Sequence, residues 1–164
     1  GCKDLRGNHG STAPRRHPPN SPERHIMRDC IFCQIVAGHQ PAVKVLETPA
    51  VLAFLDIAPV HPGHTLVIPK VHCQNLLDLS DEAWTDLGRA ARRVARALLQ
   101  ALGAQGFNVS MNNFPAAGQE VFHAHVHVIP RYSGDGLRLF PQKSYRTGEM
   151  EETGRRLRQA LEGG

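Results

Sequence analysis

The apolar positions of this chain change their spacing several times, and each spacing predicts an element. A short helix is expected over residues 31–37, ending near Gly38. Residues 43–47 and 51–56 read as a hairpin pair with Thr48-Pro49 at the turn, and residues 65–69 as a third strand. Beyond Ser80 the period lengthens. Trp84, Leu87, Ala91, Val94, Leu98 and Leu102 recur at helical spacing. Ser80 is the expected N-cap, Asp81 and Glu82 fill the first turn, and Gly103 is the stop. Arg89, Arg92, Arg93 and Arg96 read as the solvated side of that helix. Residues 107–112 and 121–129 form the last strand pair, joined by a loop over residues 113–120. Residues 149–161 read as a C-terminal helix, acidic at its start and basic toward its end, in line with the helix dipole. Five strands, one long helix and a C-terminal helix predict an α+β fold on an antiparallel sheet.

Residues 1–26 show no such period. They are rich in Gly, Pro, Ser, Asn and Arg, and read as a disordered basic leader, with a single domain expected over residues 27–164. Met27 would make a natural start. The leader also accounts for most of the net charge of +4. It holds Lys3, Arg6, Arg15, Arg16 and Arg24 against Asp4 and Glu23, so the remainder is close to neutral. That argues against a nucleic-acid-binding face and leaves room for a small anionic ligand. No apolar run approaches 18 residues and no signal-peptide pattern opens the chain, so no membrane span and a cytoplasmic location are expected. Four cysteines are too few for a disulfide scaffold. Cys30-x-x-Cys33 instead has zinc-ligand spacing in a reducing compartment, with a pair of packed thiols as the competing reading.

The densest pattern is His123-Ala124-His125-Val126-His127-Val128-Ile129. Histidine alternates with small or branched apolar residues, the period of a strand. The three imidazoles would then share one face, with Ala124, Val126 and Val128 on the core face. At about 3.3 Å per residue, neighbouring histidines lie about 6.6 Å apart and the outer two about 13 Å apart. All three converging on one tetrahedral ion would bend the strand. A division of labour is expected, with His125 at the reaction centre. The competing reading is a polar sheet face of solvated histidines.

This run resembles the His-φ-His-φ-His-φ-φ signature of the histidine triad (HIT) superfamily of nucleotide hydrolases and transferases. The similarity extends over residues 29–161. It takes in Asp29-Cys30-Ile31-Phe32-Cys33, the apolar stretch 51–57, Pro62-Gly63-His64 with the strand that follows, and Ala117-Gly118-Gln119-Glu120-Val121-Phe122. The pattern is most similar to bacterial and archaeal members with an added Cys-x-x-Cys. The resemblance implies a dimer built on one extended sheet. It also implies a structural Zn²⁺ held by Cys30, Cys33, His72 and His123; Cys73 is the alternative ligand the sequence offers.

The implied reaction is hydrolysis at the α-phosphate of a nucleoside phosphoramidate or dinucleoside polyphosphate. His125 is the nucleophile, because neutral imidazole attacks well near neutral pH and forms a phosphoramidate that water can cleave. His127 would donate to a phosphate oxygen, and Gln119 would contact the phosphate or its bridging atom. Gly118 lets backbone approach the phosphate, and Asn112 and His64 match family positions near it. A loop histidine without a role is the competing reading of His64. Asp56 could accept both ribose hydroxyls, and Phe32 and Ile57 could sandwich a base, with purine favoured. Glu120 stands where the family often has Ser or Thr, which leaves the leaving-group proton donor unassigned. Three other readings are weighed: a nucleotidyltransferase or phosphorylase on the same intermediate, a nucleotide-binding adaptor with incidental hydrolysis, and a zinc-binding module reading nucleic acid, which the near-neutral globular part counts against.

Overall fold

The computed structural model describes residues 29–138 and 140–163. The disorder expected for residues 1–26 lies outside them. The described residues fall into two compact units, divided between Ser133 and Gly134.

The first unit is built on a five-stranded, fully antiparallel sheet. Its strands are β1 (Lys44–Glu47), β2 (Val51–Leu55), β3 (Thr65–Pro69), β4 (Gly106–Ser110) and β5 (Val126–Arg131), in the order β1-β2-β3-β5-β4. The β1–β2 turn is closed by Thr48, whose hydroxyl accepts from the amides of Ala50 and Val51. Two helices belong to this unit, α1 (Ile31–Val36) and α2 (Asp81–Leu102). The period-two alternation divides the strands between two cores. Val51, Ala53, Val67, Val126 and Val128 face α2 and meet its buried stripe of Leu87, Ala90, Ala91, Val94, Ala95 and Leu98. Leu52, Phe54, Leu66 and Ile68 face the other way and meet Phe32 and Ile35 of α1. Each large aliphatic side chain buried in this way contributes about 1.5–3 kcal/mol.

Helix α2 begins and ends as its sequence requires. The Ser80 hydroxyl accepts from the amide of Ala83, and Gly103 closes the helix at φ 65°. Its predicted stripe is narrower than the periodicity suggests. Trp84 and Leu102, at the two ends, are 46% and 47% exposed. Arg89, Arg92, Arg93 and Arg96 are all exposed.

The last strand pair departs furthest from the expected boundaries. The last strand begins at Val126 rather than residue 121, because β3 supplies partners only for residues 126–128. Upstream of it the backbone finds other partners. The Ala124 amide donates to Cys73 O (2.6 Å), and the His123 carbonyl accepts from the His125 ring. The preceding strand ends at Ser110 rather than residue 112, where Asn112 and Asn113 turn their side chains onto loop backbone. The second unit contains α3 (Glu149–Glu162). Its first turn is acidic, as expected, but its arginines lie mid-helix and the last turn has no basic residue.

Candidate active site and metal centre

The non-helical backbone leading into β5 places its histidines against three different neighbourhoods. His123 is fully buried. Its Nδ1 lies 3.5 Å from both Cys30 Sγ and Cys33 Sγ, and His72 Nδ1 lies 3.3 Å from Cys33 Sγ. All four donor atoms fall within 4.8 Å of one another. Tetrahedral zinc, with Zn–S of about 2.3 Å and Zn–N of about 2.0–2.1 Å, sets sulfur and nitrogen ligands about 3.6 Å apart. The observed edges match that cage. His123 Nε2 donates to Pro69 O (2.9 Å), which leaves Nδ1 as the lone-pair nitrogen a metal requires. The Cys30 thiol is held well below the usual thiol range by its hydrogen bond with Cys33, and further by His123 and His72. The Cys33 thiol is pushed up by the same contact and by burial. The donor set therefore fits the zinc ion expected from the sequence. With four protein ligands it would be a closed, structural site joining α1 to the end of β3 and the approach to β5. Cys73 is buried but lies outside the cluster.

His125 sits in the middle of the row, 6% exposed. Phe32 packs edge-on against it, with ring centroids 5.3 Å apart, and makes the same kind of contact with His123 at 5.8 Å. His125 Nδ1 donates to the His123 carbonyl at 2.7 Å. A neutral imidazole carries one proton, so this bond assigns it to Nδ1 and leaves the Nε2 lone pair for attack. Burial pushes the His125 pKa down and keeps the ring neutral at pH 7.

His127 is half-buried at the far end of the row, its ring 4.9 Å from that of His125. Its Nδ1 is 3.0 Å from Nε2 of His64, a 4%-exposed residue just before β3. Its Nε2 is enclosed without a hydrogen-bond partner. Burial, with the neighbouring His125 and His64, pushes the His127 pKa down to about 4. Asp56 follows β2. Its Oδ1 accepts from the Ala58 amide (2.9 Å), and Oδ2 lies 3.6 Å from His64 Nδ1.

The remaining expected residues are placed less simply. Phe32 is buried beneath the histidines, whereas Ile57 is fully exposed, so the two do not form a sandwich in this structure. Gln119 is 5% exposed and its amide is spent on backbone. Oε1 accepts from Phe114 N (2.8 Å), while Nε2 donates to the carbonyls of Gln74 and Val121. Asn112 Nδ2 donates to Gly118 O (3.3 Å), and Gly118 adopts φ 81°, a conformation glycine alone takes without strain. Glu120 is exposed and lines a cleft of about 480 Å³ with Asp29, His72 and Gln74.

Phe114 is a residue that sequence reasoning passed over. It is the single non-glycine residue with positive φ among the described residues, at φ 68° and ψ 158°. Such a conformation costs about 1–3 kcal/mol and persists only where surroundings enforce it. Here the Gln119 side chain and the Ala117 and Gln119 amides hold it. No sequence signal marks it, because phenylalanine carries no turn preference.

Comparison with known proteins finds related sequences and a related structure. The model of the HIT domain matches residues 37–134. Protein hit of Bacillus subtilis is 49% identical over 114 residues, covering 69% of this chain and 79% of its own. The adenosine 5'-monophosphoramidase hnt1 of Schizosaccharomyces pombe is 47% identical over 102 residues, covering 62% and 74%. The crystal structure of a Zn-bound histidine triad family protein from Mycobacterium smegmatis superposes with a TM-score of 0.67 at 41% identity, covering 84% of this chain and 96% of that one.

Proposed function

The chain belongs to the HIT family, and from that premise we propose that it is a nucleotide hydrolase that cleaves at an α-phosphate through a nucleotidyl-His125 intermediate. The observation that carries the reading is the 2.7 Å bond from His125 Nδ1 to the His123 carbonyl, which makes Nε2 the nucleophilic atom. In the first step Nε2 attacks the α-phosphorus. A P–N bond forms, the bond to the leaving group breaks, and the leaving group departs with the electron pair, an amine taking up a proton from solvent as it leaves. The positive charge that develops on the ring is stabilised by the carbonyl already bound to Nδ1–H. In the second step water attacks and yields a proton to solvent, the P–N bond breaks with its electron pair returning to Nε2, and neutral His125 is regenerated with release of a nucleoside monophosphate. His127 donates from Nε2 to a non-bridging oxygen, the acceptor that its enclosed nitrogen lacks.

Asp56, at the mouth of the β2–β3 loop, receives the ribose hydroxyls. Purine nucleotides whose leaving group is an amine or a further phosphate are the substrate class, in keeping with the phosphoramidase among the relatives. Zn²⁺ at Cys30, Cys33, His72 and His123 supplies rigidity and no water activation. The active protein is a homodimer. Supporting this, β4 is an edge strand whose Phe107 and Val109 are exposed beside Trp84 and Leu99 of α2, along an apolar groove of about 390 Å³. No described helix is long and apolar enough to cross a membrane. A reducing, cytoplasmic setting suits the thiol ligands.

The test is a panel of adenosine and guanosine phosphoramidates and dinucleoside polyphosphates, assayed for released monophosphate. The wild-type chain should form a nucleotidylated species in rapid quench, and His125→Ala should lose turnover by about 10³-fold or more while still binding the monophosphate. A His125→Ala variant with near-normal turnover would overturn the assignment. With a phosphoramidate substrate, including inorganic phosphate separates hydrolysis from transfer, because only transfer then yields a nucleoside diphosphate.

A further inference from the structure

We propose that His64 is a positioning residue that fixes His127 in the tautomer carrying its proton on Nε2, using the backbone amide of Val60 as the reference. The chain of contacts has three links. The Val60 N–H donates to His64 Nδ1 at 3.2 Å. His64 Nε2 lies 3.0 Å from His127 Nδ1. His127 Nε2 is enclosed and unpaired.

A backbone amide can only donate, so the first link makes His64 Nδ1 an acceptor. A neutral imidazole has one proton, and in His64 it must then be on Nε2, from which it donates to His127 Nδ1. By the same logic His127 holds its own proton on Nε2. One amide thus sets two rings in succession. His125, whose Nδ1–H is held by the His123 carbonyl, is set in the opposite sense. Two rings 4.9 Å apart therefore present a lone pair and an N–H from the same nitrogen type, the pairing that attack and oxygen stabilisation require. Had His127 taken the other tautomer, two lone pairs would face the incoming phosphate.

Asp56 does not override this arrangement. Its Oδ2 is 3.6 Å from His64 Nδ1, beyond hydrogen-bond reach, and its Oδ1 is engaged by Ala58. Burial favours the neutral form of both rings. Asp56, His64 and His127 also bring donor atoms within 4.8 Å, as a metal site would. A metal on His64, however, would have to displace the Val60 amide or convert the ring to an imidazolate. The hydrogen-bonded wire is the arrangement the contacts support.

The catalytic consequence rests on the function proposed above, but the tautomer itself does not. The experiment therefore reads both, on full-length zinc-loaded protein. Long-range ¹H–¹⁵N correlation of the His127 ring should show the Nε2–H form in wild type. His64→Leu, which has no donor, should give mixed tautomers and lower kcat by about 10–100-fold with a smaller change in KM. His64→Gln can accept from Val60 and donate to His127, and should keep the tautomer and stay within about threefold of wild-type kcat. Val60→Pro deletes the reference amide without touching either ring, and should loosen the tautomer as His64→Leu does, even if the leucine variant folds poorly. Nδ1–H on His127 in wild type would overturn the proposal, as would an unchanged tautomer in Val60→Pro. A glutamine variant as impaired as the leucine one would also overturn it, showing that His64 passes a proton instead of orienting one. If the tautomers behave as stated and no nucleotide is hydrolysed by wild type, the positioning stands and the proposed function falls.

Discussion

At the scale of single residues, the site is decided by which nitrogen of each imidazole is already committed. His123 turns Nδ1 to the cysteines because Pro69 O takes Nε2, and His125 frees Nε2 because the His123 carbonyl takes Nδ1. Burial of neutral rings also links the site to pH. The His127 pKa falls from 6.5 to about 4 on folding, and that of His64 is lowered as well. Between those values the unfolded chain binds a proton that the folded chain refuses. The stabilisation is therefore complete above about pH 6.5 and is lost progressively as pH falls toward 4. Thermal unfolding of zinc-loaded protein should show a lower Tm at pH 5 than at pH 7, and His127→Asn should narrow that difference. Equal pH dependence in the two proteins would show that this ring is not a source of the effect.

At the scale of elements, a six-residue helix has little stability of its own. Helix α1 is held from two sides. Phe32 and Ile35 pack into the core opposite α2, and Cys30 and Cys33 stand with His72 and His123 in a cluster that fits zinc. Loss of the metal should therefore loosen α1 and, through Phe32, the ring packing on His125. Freshly purified protein should carry one equivalent of zinc. Cys33→Ala should lose it and unfold at a lower temperature, with amide exchange rising first in residues 31–36. A metal-free wild-type protein prepared without chelators would remove the zinc cage from the account.

At the scale of the whole molecule, the sheet has two edges, β1 and β4, and they are finished differently. The β1 edge carries Lys44 and Glu47, which pair with each other, and Glu47 also binds Lys70 at 2.7 Å. Charge on an edge strand discourages pairing with another chain. The β4 edge carries exposed Phe107 and Val109 beside an apolar groove, the surface that the proposed dimer would cover. Val109→Arg should convert the proposed dimer to a folded monomer, read by light scattering with circular dichroism as the control. A dimer that survives this substitution would place the interface elsewhere.

The sequence alone determined what local periodicity and short spacings can carry. Period two placed Val126 and Val128 toward α2 with His127 on the opposite face. Ser80 and Gly103 bounded α2, and Cys30-x-x-Cys33 marked two members of a cluster that could hold a metal. The resemblance carried by the histidine run named His72 and His123 as the residues that join the two cysteines, and the fold brings all four together. What the tertiary structure decided is everything that depends on long-range partners for groups of ambiguous chemistry. An imidazole nitrogen is donor, acceptor or ligand according to what it meets. The meetings of His123 with Pro69, His64 with His127, and Gln119 with Phe114 and Gln74 are set by the packing of β3, β5 and their loops. The same holds for where β5 begins and for the exposed ends of the α2 stripe. A strand exists only where a neighbour offers a ladder, and an apolar residue is buried only where another element covers it.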